Sequence, residues 1–204
     1  TARGVGRAAD LALWSGVALG VVTALWPSMW VDPVATSGRV LGTALGYARD
    51  LLVNNHASLM LAGGVEPMCR ITYAAFNALQ SVDPDVCRPF DRNRAGLSLG
   101  EAAAIMVLEP WETALARGAK IYAEILGYGI SCDSFHMTAP DEKASGAVRS
   151  MQAALKDAEL SVDDIDYINA HGTATPVNDS TETKAIKEVF GSRAYTIPVS
   201  STKS

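Results

Sequence analysis

The chain contains few of the residues that build disulfide frameworks, metal knuckles or nucleic-acid surfaces. Its three cysteines, Cys69, Cys87 and Cys132, are an odd number without CxxC or zinc-ligand spacing, so neither a disulfide framework nor a metal knuckle is indicated. No run of basic residues accompanies the formal net charge of -5, which argues against a nucleic-acid partner. We expect a reducing, cytoplasmic setting for the three thiols and a packing role for Cys132, with a nucleophilic Cys132 served by His136 or His171 as the alternative.

A charge-free stretch near the N-terminus raises the question of a membrane anchor. Residues 11–31 contain no charged side chain, and this segment is long enough to span a bilayer. Arg3 and Arg7 precede it, as in a signal anchor. Pro27 and two glycines interrupt the stretch, and α/β patterns follow it, so we expect no insertion into a membrane. Because the chain starts without methionine and stops directly after a strand-like run, we interpret it as a fragment.

The remaining sequence alternates apolar helices and strands in the manner of an α/β protein. Hydrophobic residues make up 49% and charged residues 19% of the 204 positions, which suits one packed domain. Apolar residues at three- and four-residue steps predict helices, and short apolar runs predict buried strands. The predicted helices are 38–53, 71–79, 110–117, 148–158 and 179–190, and the predicted strands are 58–62, 102–108, 119–130, 166–170 and 195–200.

The segment 169–176 joins a predicted strand to a histidine and two hydroxyls. Gly172 permits a sharp turn, and a proline ends the extended segment before the next helix. His171 can exchange a proton near neutral pH, and Thr173 and Thr175, two residues apart, can direct both hydroxyls to one side. This arrangement suits the binding of an acyl or amide substrate. The alternative is that His171 has no functional role and is a hydrogen-bonded core residue beside a turn.

Five phrases match one family in their order along the chain. They are LAGGVE at 61–66, CRPFDRNR at 87–94, LGEAAA at 99–104, NAHGT at 169–173 and VSSTK at 199–203. Together they resemble the β-ketoacyl-acyl-carrier-protein synthases, closest to the type II elongating enzymes. The resemblance makes 1–31 a poorly matching segment and 32–204 a partial ketosynthase domain. It implies a thiolase-like α/β fold, in which two similar halves form αβαβα layers. This chain would contain only the end of the N-terminal half and the start of the C-terminal half.

The resemblance also implies roles for individual residues. His171 would be the first catalytic histidine, which helps to decarboxylate the malonyl donor and binds the oxyanion of the enolate. Thr173 and Thr175 would hold the phosphopantetheine arm. Lys203 would be the active-site lysine that biases nearby imidazoles toward the neutral form, and Glu182 would be the carboxylate paired with it.

At three positions, Lys203, Glu182 and Ala35, the sequence leaves alternatives open. Lys203 is also interpretable as an exposed terminal lysine, and Glu182 as part of an Asp179–Glu182 capping box. Ala35 stands where the family has its nucleophilic cysteine, on a strand-to-helix turn whose helix N-terminus favours a thiolate. A non-condensing variant, a partner subunit without the thiol, or a sequence error or truncation affecting the N-terminal segment would explain the alanine, and we favour error or truncation.

The resemblance implies an acyltransferase that condenses an acyl thioester with malonyl-acyl carrier protein, with loss of carbon dioxide, in fatty-acid or polyketide synthesis. Acyl carrier protein would be the partner, the complete protein would be a homodimer, and no metal or cofactor is implied. The chain as written would form no acyl-enzyme, because alanine has no nucleophile. A non-condensing homologue or partner subunit is the alternative from another class, and a membrane-anchored binding fragment is the third.

Overall fold

The computed structural model of the chain describes residues 9–14, 44–135 and 140–202, the first of these ranges as backbone only. In chain order the strands are β1 Ala9–Trp14, β2 Met60–Glu66, β3 Ala102–Pro110, β4 Ala123–Ile125, β5 Ile168–Asn169 and β6 Val199–Ser200. The helices are α1, described over 44–53, α2 Arg70–Ala78, α3 Trp111–Ala116, α4 Ser145–Asp157 and α5 Pro176–Phe190. These elements belong to two compact units.

Among the described residues, the first unit comprises 9–14, 44–66 and 102–128 and is built on an antiparallel sheet with the strand order β2-β3-β1-β4. Helix α1 packs on this sheet through Ala48 and Leu52, which contact Ala62 of β2 and Leu108 of β3. Leu108 has no exposed surface, so it is the centre of this core. Burial of these apolar side chains is what holds the helix to the sheet.

The described residues of the second unit are 67–101, 129–135 and 140–202, and they contain α2, α4, α5 and the short parallel pair of β5 with β6. Its core lies on α5, where Ile186 and Phe190 pack with Ile197. Val148 of α4 packs with Ala185 on the same helix. Ile168 of β5 also packs against this core, which therefore holds α5 beside the end of β5, and the predicted histidine loop runs from β5 into α5.

Helix positions predicted from the apolar spacing are confirmed. The described part of α1 ends at residue 53, and α2, α3 and α4 each lie within about three residues of the predicted bounds. Helix α5 begins earlier than expected, with Pro176 as its first residue, a position that proline tolerates because that N–H has no helical partner. It ends at Phe190, and Gly191 follows with φ of +54°.

Strand lengths were predicted less well. Strand β2 does not end at the two glycines but continues to Glu66, because Gly63 and Gly64 still pair with β3. A Cβ at Gly63 would lie 2.2 Å from the Ala104 carbonyl oxygen, so the glycine permits this close pairing. The strand is also less buried than predicted, since Leu61 is 58% exposed.

Three other predicted strands are shorter than expected. The predicted long strand 119–130 is only three residues, because β1 pairs with no more than Ala123–Ile125. Strands β5 and β6 are two residues each, and a short 3-10 helix, Gly191–Tyr195, occupies the start of the predicted strand 195–200. The predicted buried strand 166–170 is largely exposed apart from Ala170.

Within the described residues, no helix combines the length and the apolar character needed to cross a membrane. The charge-free stretch 11–31 contributes its first four residues to β1, and its remainder lies outside the described residues.

Candidate active site

The candidate site is the turn 170–175, which connects β5 to α5. The Ala170 amide donates to the Ser200 carbonyl oxygen at 2.7 Å, and thereby continues the β5–β6 pairing into the turn. Asn169 exchanges hydrogen bonds with Thr202, whose amide donates to the Asn169 side-chain oxygen at 3.2 Å. The turn is therefore anchored beside the chain that follows β6.

Glu182 holds the first half of this turn. Its two carboxylate oxygens accept the His171 amide at 2.6 Å and the Gly172 amide at 2.9 Å. The predicted Asp179–Glu182 capping box is therefore wrong: α5 begins six residues before Glu182, and this side chain reaches back to the preceding turn instead. Charge-assisted bonds of this kind are stronger than neutral ones, so the carboxylate fixes the backbone beside His171.

Gly172 adopts a conformation that few other residues would tolerate here. Its φ is +43°, and a Cβ at this position would lie 2.5 Å from the Cβ of Ser201. The Ser201 hydroxyl lies close because it donates to the His171 and Gly172 carbonyl oxygens, at 3.3 and 3.2 Å. The predicted sharp turn at Gly172 is confirmed, and its physical reason is the close approach of Ser201.

Asp179 holds the second half of the turn. Only 1% of this residue is exposed, and its carboxylate accepts the Ala174 amide at 3.1 Å and the Phe90 amide at 2.7 Å. The Arg94 Nε lies 3.5 Å from the same carboxylate and supplies the opposite charge. Asp179 thus joins the turn to the loop that contains the CRPFDRNR phrase, and its burial is offset by three partners.

The two threonine hydroxyls of the turn face each other. Thr173 Oγ1 and Thr175 Oγ1 are 2.8 Å apart, and the Thr175 amide donates to the Thr173 hydroxyl at 3.4 Å. Thr173 is buried and Thr175 is half-buried. The Cys87 thiol also donates to the Thr173 carbonyl oxygen, with sulfur and oxygen 3.7 Å apart. The structure therefore brings together the two hydroxyls that the spacing predicted would point the same way.

The loop that supplies Phe90 and Arg94 has an anchor of its own. The Asp83 carboxylate accepts the Asp85 amide at 2.9 Å and lies 3.4 Å from the Arg88 guanidinium. The Asp85 N–H above all, with help from Arg88, lowers the pKa of Asp83 below its ordinary value. The Asp83 amide in turn donates to the Leu97 carbonyl oxygen at 2.9 Å, which closes the base of the loop.

Of the predicted site residues, the structure places His171, Thr173, Thr175 and Glu182 together on or against one turn. His171 is half-buried. Ala35 and Lys203 lie outside the described residues, so the Glu182–Lys203 pair and the nucleophile position stay predictions. His136 also lies outside them.

The suggestion that Cys132 serves packing is wrong, because its side chain is exposed. Cys69 and Cys132 are exposed, and only Cys87 is partly buried. All three are present as thiols. In the described parts of the chain, no three His, Cys, Asp or Glu side chains converge in a group that could hold a metal ion.

Sequence reasoning missed Asp179 and Arg94 as parts of the site. A signal was present, because Asp179 and Glu182 are three residues apart and therefore lie on one face of α5, directed at the preceding turn. The Arg94 contact carried no comparable signal, since it joins positions that are more than 80 residues apart.

Comparison with known proteins agrees with the five phrases. The family model described as β-ketoacyl synthase, N-terminal domain, matches residues 27–114, and its C-terminal counterpart matches residues 122–204. The chain is 48% identical over 168 residues to 3-oxoacyl-[acyl-carrier-protein] synthase 2 of Synechocystis sp., covering 79% of this chain and 40% of that protein. The chain thus spans about two fifths of the length of this relative.

Solved structures show the same likeness in three dimensions. The ishigamide ketosynthase/chain length factor superposes with a TM-score of 0.72 at 45% identity, covering 74% of this chain and 37% of that one. A type II polyketide ketosynthase in complex with its acyl-carrier protein, AntDE:AntF, superposes with a TM-score of 0.74 at 36% identity, covering 79% and 41%. These neighbours confirm the predicted thiolase-like α/β fold in partial form. The chain belongs to the β-ketoacyl synthase family.

Proposed function

We propose that the complete protein, with a cysteine at position 35, is an acyltransferase that condenses an acyl thioester with malonyl-acyl carrier protein and releases carbon dioxide, and that the chain as written lacks the nucleophile for this reaction. The observation that carries this proposal is the turn 170–175, where His171 and a pair of hydroxyls are held by two carboxylates of α5. Such pre-organisation is what transition-state stabilisation requires, because the groups need not reorganise during the reaction. The names of the relatives, which are acyl-carrier-protein synthases and ketosynthases, support the same reaction class.

In this proposal the residues divide the work between chemistry and binding. His171 donates a hydrogen bond to the enolate oxyanion that forms as carbon dioxide leaves. Lys203 keeps that imidazole neutral by its positive charge. Thr173 and Thr175 hydrogen-bond the amide groups of the phosphopantetheine arm. Glu182 pairs with Lys203, in addition to the two backbone amides that it accepts.

Acyl carrier protein is the proposed partner, and the complete protein is proposed to act as a homodimer in the cytoplasm, in fatty-acid or polyketide synthesis. The AntDE:AntF complex supports the partner, because that ketosynthase binds an acyl-carrier protein. The three cysteine thiols accord with a reducing compartment.

A second candidate function follows from one residue. Ala35, inside the region matched by the N-terminal family model, occupies the position that the resemblance assigns to the nucleophilic cysteine. Alanine cannot accept an acyl group, so a chain with this residue would act as a non-condensing homologue or as the partner subunit of a complete synthase.

Intact-mass spectrometry after incubation with hexanoyl-acyl carrier protein tests the proposal. We expect no acyl adduct on the chain as given and a single hexanoyl group at position 35 in Ala35→Cys. The exposed thiols of Cys69 and Cys132 serve as internal controls. A hexanoyl mass on Cys132 of the unmodified chain would show that the nucleophile position is wrong, and no adduct on Ala35→Cys would favour the partner-subunit function.

A further inference from the structure

Arg94 contacts the candidate site more extensively than any role in a surface loop requires. Its Nη2 donates to the Pro176 carbonyl oxygen at 2.8 Å, and its Nε donates to the Thr175 carbonyl oxygen at 3.3 Å. A third nitrogen, Nη1, donates to the Asp91 carbonyl oxygen of its own loop at 3.0 Å. The side chain is 19% exposed, and the bond from Nε to the Thr175 carbonyl oxygen is partly buried, whereas the other two are open to water.

These contacts enclose Thr175 from both sides. Arg94 holds the Thr175 carbonyl oxygen, and Asp179, its ion-pair partner, holds the amide of the preceding residue, Ala174. The Thr175 amide is itself bonded to the Thr173 hydroxyl. With the peptide groups on both sides of Thr175 fixed, the direction of its Cα–Cβ bond is fixed as well, and the 2.8 Å hydrogen bond to Thr173 then orients its hydroxyl.

We propose that Arg94 is a positioning residue for the pantetheine arm of the thioester substrate. It acts through Thr175 and does not touch the arm. This inference rests on the proposed function, in which Thr173 and Thr175 bind that arm. It adds a residue from a distant loop whose guanidinium sets the geometry of the hydroxyl pair.

The planar fork of the guanidinium is what this task requires. Arg94 donates hydrogen bonds to two successive carbonyl oxygens, those of Thr175 and Pro176, from two nitrogens held at a fixed spacing. A lysine ammonium would keep the positive charge beside Asp179 but is a point charge on a flexible stem. Arg94→Lys therefore separates the geometric role from simple neutralisation of the buried carboxylate.

Arg92 offers a matched control on the same loop. It is exposed, and no hydrogen bond or ion pair joins it to the described residues. Arg92→Lys makes the same chemical change two residues away without altering a contact to the turn.

The experiment is a titration of the full chain with pantetheine, followed by NMR at the amides and methyl groups of Thr173 and Thr175. We expect Arg94→Lys to raise the pantetheine Kd about tenfold, because the hydroxyl pair is then no longer held in its binding geometry before the arm binds, and Arg92→Lys to leave it unchanged. The Kd is measured on resonances of the folded population. A purely structural role would lower their intensity and leave the Kd as it is.

The two proposals fail in different ways. Unchanged Kd in Arg94→Lys, together with loss of binding in Thr175→Val, would overturn the role of Arg94 alone. Absence of any pantetheine-induced shift at Thr173 and Thr175 in the unmodified chain would overturn the proposed role of the threonines, and the inference would fall with it.

Discussion

The sheet of the first unit and the turn 170–175 of the second are held by different kinds of hydrogen bond. Strands β2 and β3 pair through seven consecutive backbone positions, from Met60 opposite Leu108 to Glu66 opposite Ala102. In the turn, three of the amides donate to the side-chain carboxylates of Glu182 and Asp179. A backbone ladder tolerates many side chains, whereas the turn depends on two particular carboxylates three residues apart.

This difference teaches where substitutions will act. In the sheet, the sensitive positions are the apolar ones whose packing covers the ladder, such as Leu108. In the turn, the sensitive positions are the buried Asp179 and the partly buried Glu182, because an amide that loses its carboxylate has no ladder partner to replace it. The predictions below test this contrast.

The largest expected effect is that of Asp179→Ala. The substitution leaves the Ala174 and Phe90 amides without their acceptor and the partly buried Arg94 without its counter-charge. We expect the free energy of unfolding to fall by about 3–5 kcal/mol, measured by urea denaturation. Asp163→Ala is the control, because that side chain is 81% exposed, and its loss should cost less than about 0.5 kcal/mol. Equal costs for the two substitutions would contradict the account.

Next in size is Leu108→Ala, which tests the sheet side of the comparison. The fully buried side chain contacts α1 and β2, so its truncation leaves a cavity in the first unit and should cost about 3 kcal/mol. Leu61→Ala, on the exposed face of the neighbouring strand, is the control and should change the unfolding free energy by less than about 0.5 kcal/mol. A large loss of unfolding free energy in Leu61→Ala would contradict the exposure of this face of β2.

Gly172→Ala should lower the stability by a smaller amount, and comparison with a second glycine separates the cost of the positive φ from the cost of the clash with Ser201. Both Gly172 and Gly118 have positive φ, but only Gly172 lacks space for a Cβ, since Gly118 has no heavy atom within 4 Å. Gly118→Ala should therefore cost about 1–2 kcal/mol from backbone conformation alone, and Gly172→Ala at least about 1 kcal/mol more, from the clash with Ser201. Thermal denaturation of both variants measures the difference. If the two variants lost the same stability, the close approach of Ser201 would have no energetic consequence.

The smallest expected effect is a pH dependence of the stability, which arises from Asp83 in the loop 81–97. The folded state lowers the pKa of Asp83, chiefly through the Asp85 N–H, so Asp83 stabilises the fold fully above its unfolded pKa of about 3.9. That contribution is lost as the pH falls through the lower, folded pKa. The urea midpoint of the chain should exceed that of Asp83→Asn near neutral pH, and the gap should close in acid. A gap that widens in acid would contradict the sign of the shift.

Local sequence patterns were sufficient for the helices and for the turn at Gly172. Apolar spacing of three and four residues identifies α2 and α4 because one helix face is buried in each. The glycine and the proline of the segment 169–176 identify the turn because each residue restricts the backbone in a known way. The two threonine hydroxyls meet because their separation is local.

The failures share a dependence on contacts distant in sequence. The length of β4 is set by its pairing with β1, more than 100 residues away, and no local pattern records that limit. A capping box was an alternative for Glu182 because the local Asp179–Glu182 pattern permits one, whereas Pro176 starts the helix earlier and frees both carboxylates for the turn. The Arg94 contacts to Thr175 and Pro176 likewise appear only in three dimensions.

Hydrogen–deuterium exchange of single amides tests most directly whether the two carboxylates hold separate halves of the turn. Glu182→Gln should accelerate exchange at His171 and Gly172 and leave Ala174 and Phe90 protected. Asp179→Asn should do the reverse, accelerating exchange at Ala174 and Phe90 and sparing the other pair. The amides of β2 and β3 should be unaffected in both variants, because their partners are backbone carbonyls. Acceleration of all four turn amides together in either variant, or of none, would contradict the account.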